Sequence, residues 1–214
     1  MSSRREFLRS SAGLAGTLAV GPLAGAQAAP AATLPTVRFG GVEISRMVMG
    51  CNQFNGYSHF NSLLDKLMVD WNTPDRFCQT LLQCQQSGIS AHQFSLNTST
   101  QTALELFRSK GGKMHLIAID YTLDGLEDRV RRSGAGAFYH HGEVTDVLFR
   151  DGKMEQVQEY TKRLRQTGVR VGIGTHKPEV VEYVEERWER RLAAANLDGV
   201  RLIDNVPVAE IRGL

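Results

Sequence analysis

The sequence lacks most of the features that would assign it at once to a functional class. It has only three cysteines, Cys51, Cys78 and Cys84. Their number is odd and their spacing is not that of a metal site, so we expect small buried side chains rather than a disulfide framework or a zinc site. The formal net charge is only +2, and the short basic run at 129–132 is typical of a solvated helix face, so no nucleic-acid partner is predicted. The sequence contains neither the Gly-x-Gly-x-x-Gly fingerprint nor a phosphate-binding P-loop. Their absence argues against the common α/β folds that bind nucleotides.

The first residues form the most distinctive motif that is present. Ser3-Arg4-Arg5-Glu6-Phe7-Leu8-Arg9 precedes a weakly apolar stretch that closes on Ala26-Gln27-Ala28. This pattern resembles a twin-arginine signal peptide, which implies a signal over 1–28, a linker over 29–35 and the twin-arginine export machinery as a partner. It also implies a periplasmic or extracellular location. The glycines and Pro22 dilute the apolar stretch below what a spanning helix needs, and no later stretch is long and apolar enough, so no stable membrane anchor is predicted.

Beyond the linker, short apolar runs alternate with longer amphipathic ones. The runs have strand length and are bounded by Gly, Asp or Asn, whereas the intervening segments have helical periodicity with proline or threonine at their starts and glycine at their ends. The predicted strands are Arg46 to Cys51, Ile89 to Phe94, His115 to Asp120, Ala135 to His140, Val169 to Gly174 and Val200 to Ile203. The predicted helices are Pro74 to Ser87, Thr98 to Lys110, Leu123 to Arg132, Lys153 to Gln166 and Pro178 to Ala195.

This alternation predicts an α/β fold with a parallel sheet covered by helices. The sheet could be open and doubly wound, or it could close into a (β/α)8 TIM-barrel-like domain. The first βα turn, Gly50-Cys51-Asn52-Gln53, lacks the fingerprint of the open dinucleotide-binding sheet, which favours the barrel. A closed barrel needs eight strands and about 250 residues. We therefore expect residues 36–214 to be an incomplete barrel of about six βα units, with Leu214 short of the natural end.

Two segments resemble the aldo/keto reductase family. Residues 36–54 are similar to its opening hairpin and first strand, and residues 137–174 are similar to a later strand, helix and strand. The resemblance implies a hairpin under the barrel floor, a small-molecule carbonyl substrate, an oxidoreductase activity and NADP as the cofactor. The family works with Asp, Tyr, Lys and His. Only the His has a counterpart: His140 and His141 both qualify, and His141 aligns better with the turn. Because the two are adjacent on a strand, only one can face the barrel axis. Residues 91–97 contain neither Asp nor Tyr, and the next strand ends in Asp120 where the family has Lys.

Chemistry in a (β/α)8 barrel lies at the carboxyl ends of the strands. Among the polar residues there, His141 is the best catalytic candidate, as a hydrogen-bond donor to a substrate carbonyl, with Asp120 and His176 beside it. In an alternative interpretation the same three residues bind a divalent metal, as in a metal-dependent hydrolase or sugar isomerase. A third hypothesis is a non-catalytic binding protein or a truncated remnant.

Overall fold

The computed structural model describes residues 34–188 and, for the backbone, the strands at 193–197 and 200–204. The predicted signal at 1–28 and most of the linker lie outside the described residues, so both stay predictions. Within the described part of the chain, no helix combines the length and the hydropathy that crossing a membrane requires.

A short antiparallel hairpin opens the described chain. Strands β1 (Thr36–Phe39) and β2 (Val42–Ser45) pair in register from Thr36 opposite Ser45 to Phe39 opposite Val42. The connection is Gly40-Gly41, and both glycines have positive φ, 53° and 81°. A two-residue turn with positive φ at both positions matches the twist of a hairpin, and glycine adopts it without a steric penalty.

Four parallel strands form the central sheet, and they follow chain order. All four coincide with predicted strands, within about two residues at each end. They are β3 (Ala91–Ser95), β4 (His115–Asp120), β5 (Ala137–His140) and β6 (Arg170–Ile173). Each neighbouring pair is parallel. The α/β fold class is therefore confirmed.

Eight helices are described, in positions that largely agree with the predicted ones. The segments over 142–150 and 62–71 were not predicted as helices, and neither was the single turn after Cys51. The helices are α1 (Asn52–Asn55), α2 (Ser62–Trp71), α3 (Pro74–Gln86), α4 (Thr98–Ser109), α5 (Leu126–Ser133), α6 (Gly142–Arg150), α7 (Met154–Gln166) and α8 (Pro178–Arg187).

Two predicted elements at the ends of the domain are wrong. The segment from Arg46 to Cys51 is not a strand: only Met49 bridges to His92, with Met49 N donating to Ala91 O at 3.0 Å and Met49 O accepting from Gln93 N at 2.8 Å. Cys51 already caps the start of α1, which leaves the run too short for a ladder.

The predicted last helix is also too long, because α8 ends at Arg187. Beyond it, strands β7 (Ala193–Leu197) and β8 (Val200–Asp204) pair with each other as an antiparallel hairpin. The expected strand at Val200 to Ile203 exists as β8. Within the described residues β8 lies beside β6, but its hydrogen-bonded partner is β7. The described residues therefore contain four hydrogen-bonded parallel strands, fewer than the six we expected.

The two faces of the sheet are buried against different partners. One face carries Phe94, Ala118 and Phe138, which pack with helix residues in the larger apolar core. The other face carries Ala91, Ile117, Ala137 and Tyr139, which pack on the β1–β2 hairpin through Phe39 and Ile44. Because side chains alternate along a strand, each strand supplies both layers. This alternation decides which polar side chains at the strand ends can meet.

Candidate functional site

His141 lies at the carboxyl end of β5, at the residue that caps the start of α6. Its backbone N–H donates to the Asp120 carbonyl at 3.0 Å, which fixes it against β4. The ring meets the Tyr121 ring edge-on, with centroids 6.0 Å apart, and Nδ1 is buried without a hydrogen-bond partner. Burial lowers the pKa of His141; Glu143 opposes the shift and His176 adds to it. His141 is therefore neutral at pH 7 and can donate one ring N–H to a polar ligand atom.

His176 follows β6 and is held by a carboxylate that the sequence analysis did not select. Its Nδ1 lies 2.8 Å from Asp146 Oδ2, and its backbone N–H donates to the same oxygen at 3.1 Å. Thr175 donates its hydroxyl to the other oxygen, Oδ1. An ionised carboxylate only accepts, so Nδ1 carries the proton and Nε2 of the neutral ring has a free lone pair. The Asp146 side chain is 12% exposed whereas that of His176 is 62% exposed, so solvent and small molecules reach the imidazole.

The His176 ring lies against the backbone of Gly142, the residue after His141, and the charge of His176 lowers the pKa of His141. A Cβ on Gly142 would lie 3.3 Å from His176 Cε1 and 3.3 Å from the Gly174 carbonyl carbon, which is tighter than ordinary van der Waals contact. The start of α6 can therefore approach the turn after β6. We name Asp146, Thr175, His176 and His141 the histidine cluster.

Asp120 was expected beside His141, but its carboxylate has another partner. Arg129 of α5 donates to Asp120 Oδ2 through Nη2 at 2.8 Å and through Nε at 3.1 Å. The backbone N–H of Tyr121 donates to Oδ1 at 2.8 Å. The Asp120 side chain is 9% exposed. These contacts indicate a role for the Asp120 side chain in joining β4 to α5, and among the described contacts its carboxylate makes no hydrogen bond to either histidine of the cluster.

The other buried histidines point into the helix layer. His140 Nδ1 lies 2.7 Å from Thr145 Oγ1 and its ring meets Tyr160 edge-on. His92 Nδ1 lies 2.9 Å from the Met49 carbonyl, and its ring packs among phenylalanines. Burial lowers the pKa of each ring to about 4. Both are neutral structural histidines. His140 faces the helix layer, and His141, the next residue along the chain, does not share that environment.

The described residues contain no group of three or more His, Cys, Asp or Glu side chains arranged to hold a metal ion. The set of His141, His176 and Asp120 is divided: the two histidines belong to the cluster, while Asp120 pairs with Arg129. The residues present therefore do not fit the metal that the alternative interpretation requires.

The sequence analysis did not select Asp146 as a site residue, because an Asp in such a turn can simply cap it. The sequence does contain a signal for it, since Asp146 lies five residues beyond His141 in His-Gly-Glu-Val-Thr-Asp. Its partner, however, is thirty residues away along the chain. In comparisons with protein-family models, curated proteins and solved structures, none matches this chain.

Proposed function

We propose that this protein is an enzyme that acts on a small carbonyl compound by proton transfer at the histidine cluster. The observation that carries the proposal is the Asp146–His176 pair, in which a nearly buried carboxylate orients an exposed imidazole. An imidazole held in one tautomer by a carboxylate is a common general acid–base. Such a residue contributes about 10²–10⁴-fold to a rate.

The two histidines have different roles in this proposal. His176 Nε2 takes a proton from carbon or oxygen of the substrate and returns it, while Asp146 stabilises the charged imidazolium that forms between the two steps. His141, neutral because burial lowers its pKa, donates a hydrogen bond to the carbonyl oxygen where negative charge develops. This is the role that the sequence analysis assigned to His141.

The oxidoreductase activity implied by the aldo/keto reductase resemblance is a narrower form of this proposal. NADP would supply a hydride to the carbonyl carbon, and the histidine cluster would supply the proton. The family binds its cofactor largely through the last two βα units, and the described residues contain no parallel strands that correspond to those units. The described residues therefore do not supply those cofactor contacts, and the proton-transfer proposal does not depend on the cofactor.

The barrel is the architecture we propose around this site. Chain-order strands with no reversal, preceded by the Met49 bridge, are what successive βα units of a barrel produce, whereas a doubly wound sheet reverses its order at a switch point. The hairpin packed on one sheet face supports the same arrangement. A scattering profile of the purified protein would test it, since an open sheet is flatter than a closed barrel.

We also propose that the protein is exported through the twin-arginine pathway to the periplasm or beyond. The support is the Arg4-Arg5 motif and the small residues at 26–28. Replacing both arginines with lysine should retain the protein in the cytoplasmic fraction. Equal export of the two forms would contradict this proposal.

The test of the catalytic proposal is deuterium exchange into small aldehydes and ketones in D2O, followed by NMR, with and without NADPH. Exchange without the cofactor supports proton transfer, and NADPH oxidation supports the reductase form. His176→Gln should lower either rate about 100-fold or more. The control is His115→Gln, since His115 is exposed at the opposite, amino end of β4. The proposal fails if the wild-type protein catalyses neither reaction, or if the two variants lose activity equally.

The metal-dependent alternative is tested in the same assay. Added Zn²⁺, Mn²⁺ or Mg²⁺ should leave the exchange rate unchanged, because the described residues provide no three-ligand set. A metal-dependent rate that His141→Ala abolishes would instead favour the hydrolase or isomerase interpretation.

A further inference from the structure

A cavity of about 220 Å³ lies between α4 and α5, on the helix-covered side of the sheet and apart from the histidine cluster. Three arginines line it, Arg108 from α4 and Arg129 and Arg132 from α5, and none of its lining residues is acidic. A guanidinium stays protonated at any physiological pH. Arg129 and Arg132 also contact the carboxylates of Asp120 and Asp128, so three guanidinium groups face two carboxylates and leave an excess of positive charge. The small volume and this excess charge favour a small anion.

Two of these arginines have hydrogen-bonding capacity beyond their contacts within the protein. Arg108 donates through Nη2 to the Ser133 carbonyl at 2.8 Å, and Arg132 reaches Asp128 only at 3.4 Å. A guanidinium has five N–H donors in a planar fork. Arg129, by contrast, is committed to Asp120 and to two backbone carbonyls. Arg108 and Arg132 therefore retain N–H groups that can bind a ligand, whereas Arg129 contributes only its positive charge.

The start of α4 also faces the cavity. Asn97, Thr98 and Thr100 line it, and the helix is 12 residues long. The amino end of a helix carries partial positive charge and N–H groups that favour anions. The Asn97 side chain already accepts the Thr100 N–H at 2.9 Å, which leaves the earlier first-turn N–H groups for a ligand. Thr100 adds an independent observation: the residue is 1% exposed, yet its hydroxyl has no hydrogen-bond partner. A buried hydroxyl normally has a partner, so the Thr100 hydroxyl, on a residue that lines the cavity, has a hydrogen bond to offer to an oxygen of a bound anion.

We propose that this cavity is a phosphate site, filled by inorganic phosphate or by the phosphate group of a small metabolite. Phosphate offers the several acceptor oxygens that guanidinium forks, first-turn amides and the Thr100 hydroxyl require. The inference is independent of the proposed function, because no residue of the histidine cluster lines the cavity.

The first test compares two neighbouring arginines. Arg131 and Arg132 are both exposed on α5 and both contact Asp128, but only Arg132 lines the cavity. The full-length protein is titrated calorimetrically with inorganic phosphate and with glycerol 3-phosphate at constant ionic strength. We expect Arg132→Gln to weaken binding about tenfold or more and Arg131→Gln to change it less than twofold. Tighter binding of glycerol 3-phosphate indicates a phosphorylated metabolite, and equal binding indicates free phosphate.

The second test removes the unpartnered hydroxyl. Thr100→Val keeps the side-chain shape and breaks no hydrogen bond within the protein, so the variant should fold and melt like the wild type. Its phosphate affinity should fall several-fold. Thr102→Val is the control, because the exposed Thr102 hydroxyl donates to the Thr98 carbonyl instead. The proposal is overturned if the wild type shows no saturable phosphate binding, if the arginine variants weaken it equally, or if Thr100→Val binds as the wild type does.

Discussion

Arg129→Met should destabilise the protein strongly, because it leaves a buried carboxylate without its cation. Arg129 donates twice to Asp120 Oδ2, and the Asp120 side chain is only 9% exposed. Removing one partner of a buried ion pair costs about 3–5 kcal/mol. Asp120 retains the backbone N–H of Tyr121 on Oδ1 at 2.8 Å, so we expect the lower end of that range, about 3 kcal/mol.

The assay is urea unfolding at pH 7, followed by circular dichroism, with a double-mutant cycle. For a protein of this size about 3 kcal/mol corresponds to a fall in Tm of roughly 6–12 °C. Asp120→Asn combined with Arg129→Met should recover part of the loss, because the uncompensated charge is gone. The reasoning fails if Arg129→Met changes the free energy of unfolding by less than about 0.5 kcal/mol, which is typical of surface substitutions. It also fails if the effects of the two substitutions on the free energy of unfolding are additive. Asp120→Asn alone should lower the free energy of unfolding by more than it raises the activation free energy of the catalysed reaction.

Three further outcomes follow from the structure. The free energy of unfolding should fall by about 3 kcal/mol per buried histidine as the pH drops from 6.5 to 4. The reason is that His92 and His140 have a folded-state pKa of about 4, so the unfolded chain takes up the protons first. His92→Leu should flatten the pH dependence of unfolding, and an unchanged slope would contradict this. Gly142→Ala should displace His176, because its Cβ would lie 3.3 Å from Cε1, and the His176 ring signals in NMR should shift, while Gly136→Ala, whose nearest atom would be 3.7 Å away, should leave them in place. Phe77→Ala should cost about 3–5 kcal/mol, since Phe77 is 1% exposed and stacks on Phe54, whereas Phe60→Ala, at an 80% exposed position, should cost less than about 0.5 kcal/mol, both measured by urea unfolding.

The core of the fold was predictable because its signals are local. The strands around His115 to Asp120 and Ala135 to His140 are continuous apolar runs between turn residues, and continuous runs are typical of parallel strands buried on both faces. The start of α3 was also predictable, because Thr73 precedes Pro74 and accepts from the Arg76 N–H. Each of these signals concerns neighbours in sequence, so no tertiary contact is needed to interpret it.

The errors arise where a local signal competes with a distant one. Arg46 to Cys51 has the composition of a strand, but the chain turns into α1 at Cys51 and only Met49 finds a partner, on β3. The region from Ala193 has many alanines and continued the helical pattern of α8, yet it pairs with 200–204 as a strand. Pairing partners outweigh intrinsic propensity in such segments.

For the candidate site, too, local sequence signals and tertiary contacts decide different features. By itself the sequence determined the α/β class and the positions of the four central strands, because side-chain periodicity and turn residues act over a few positions of the chain. The assignment of His141 and His176 to the site stays a prediction from the sequence. Only the tertiary structure decided that His176 pairs with Asp146, that Asp120 turns to Arg129, and that Thr100 lines a cavity with three arginines. These contacts depend on the register of the strands and on which of two adjacent side chains faces the helix layer. A shift of the register by one residue moves each side chain to the opposite face of the sheet.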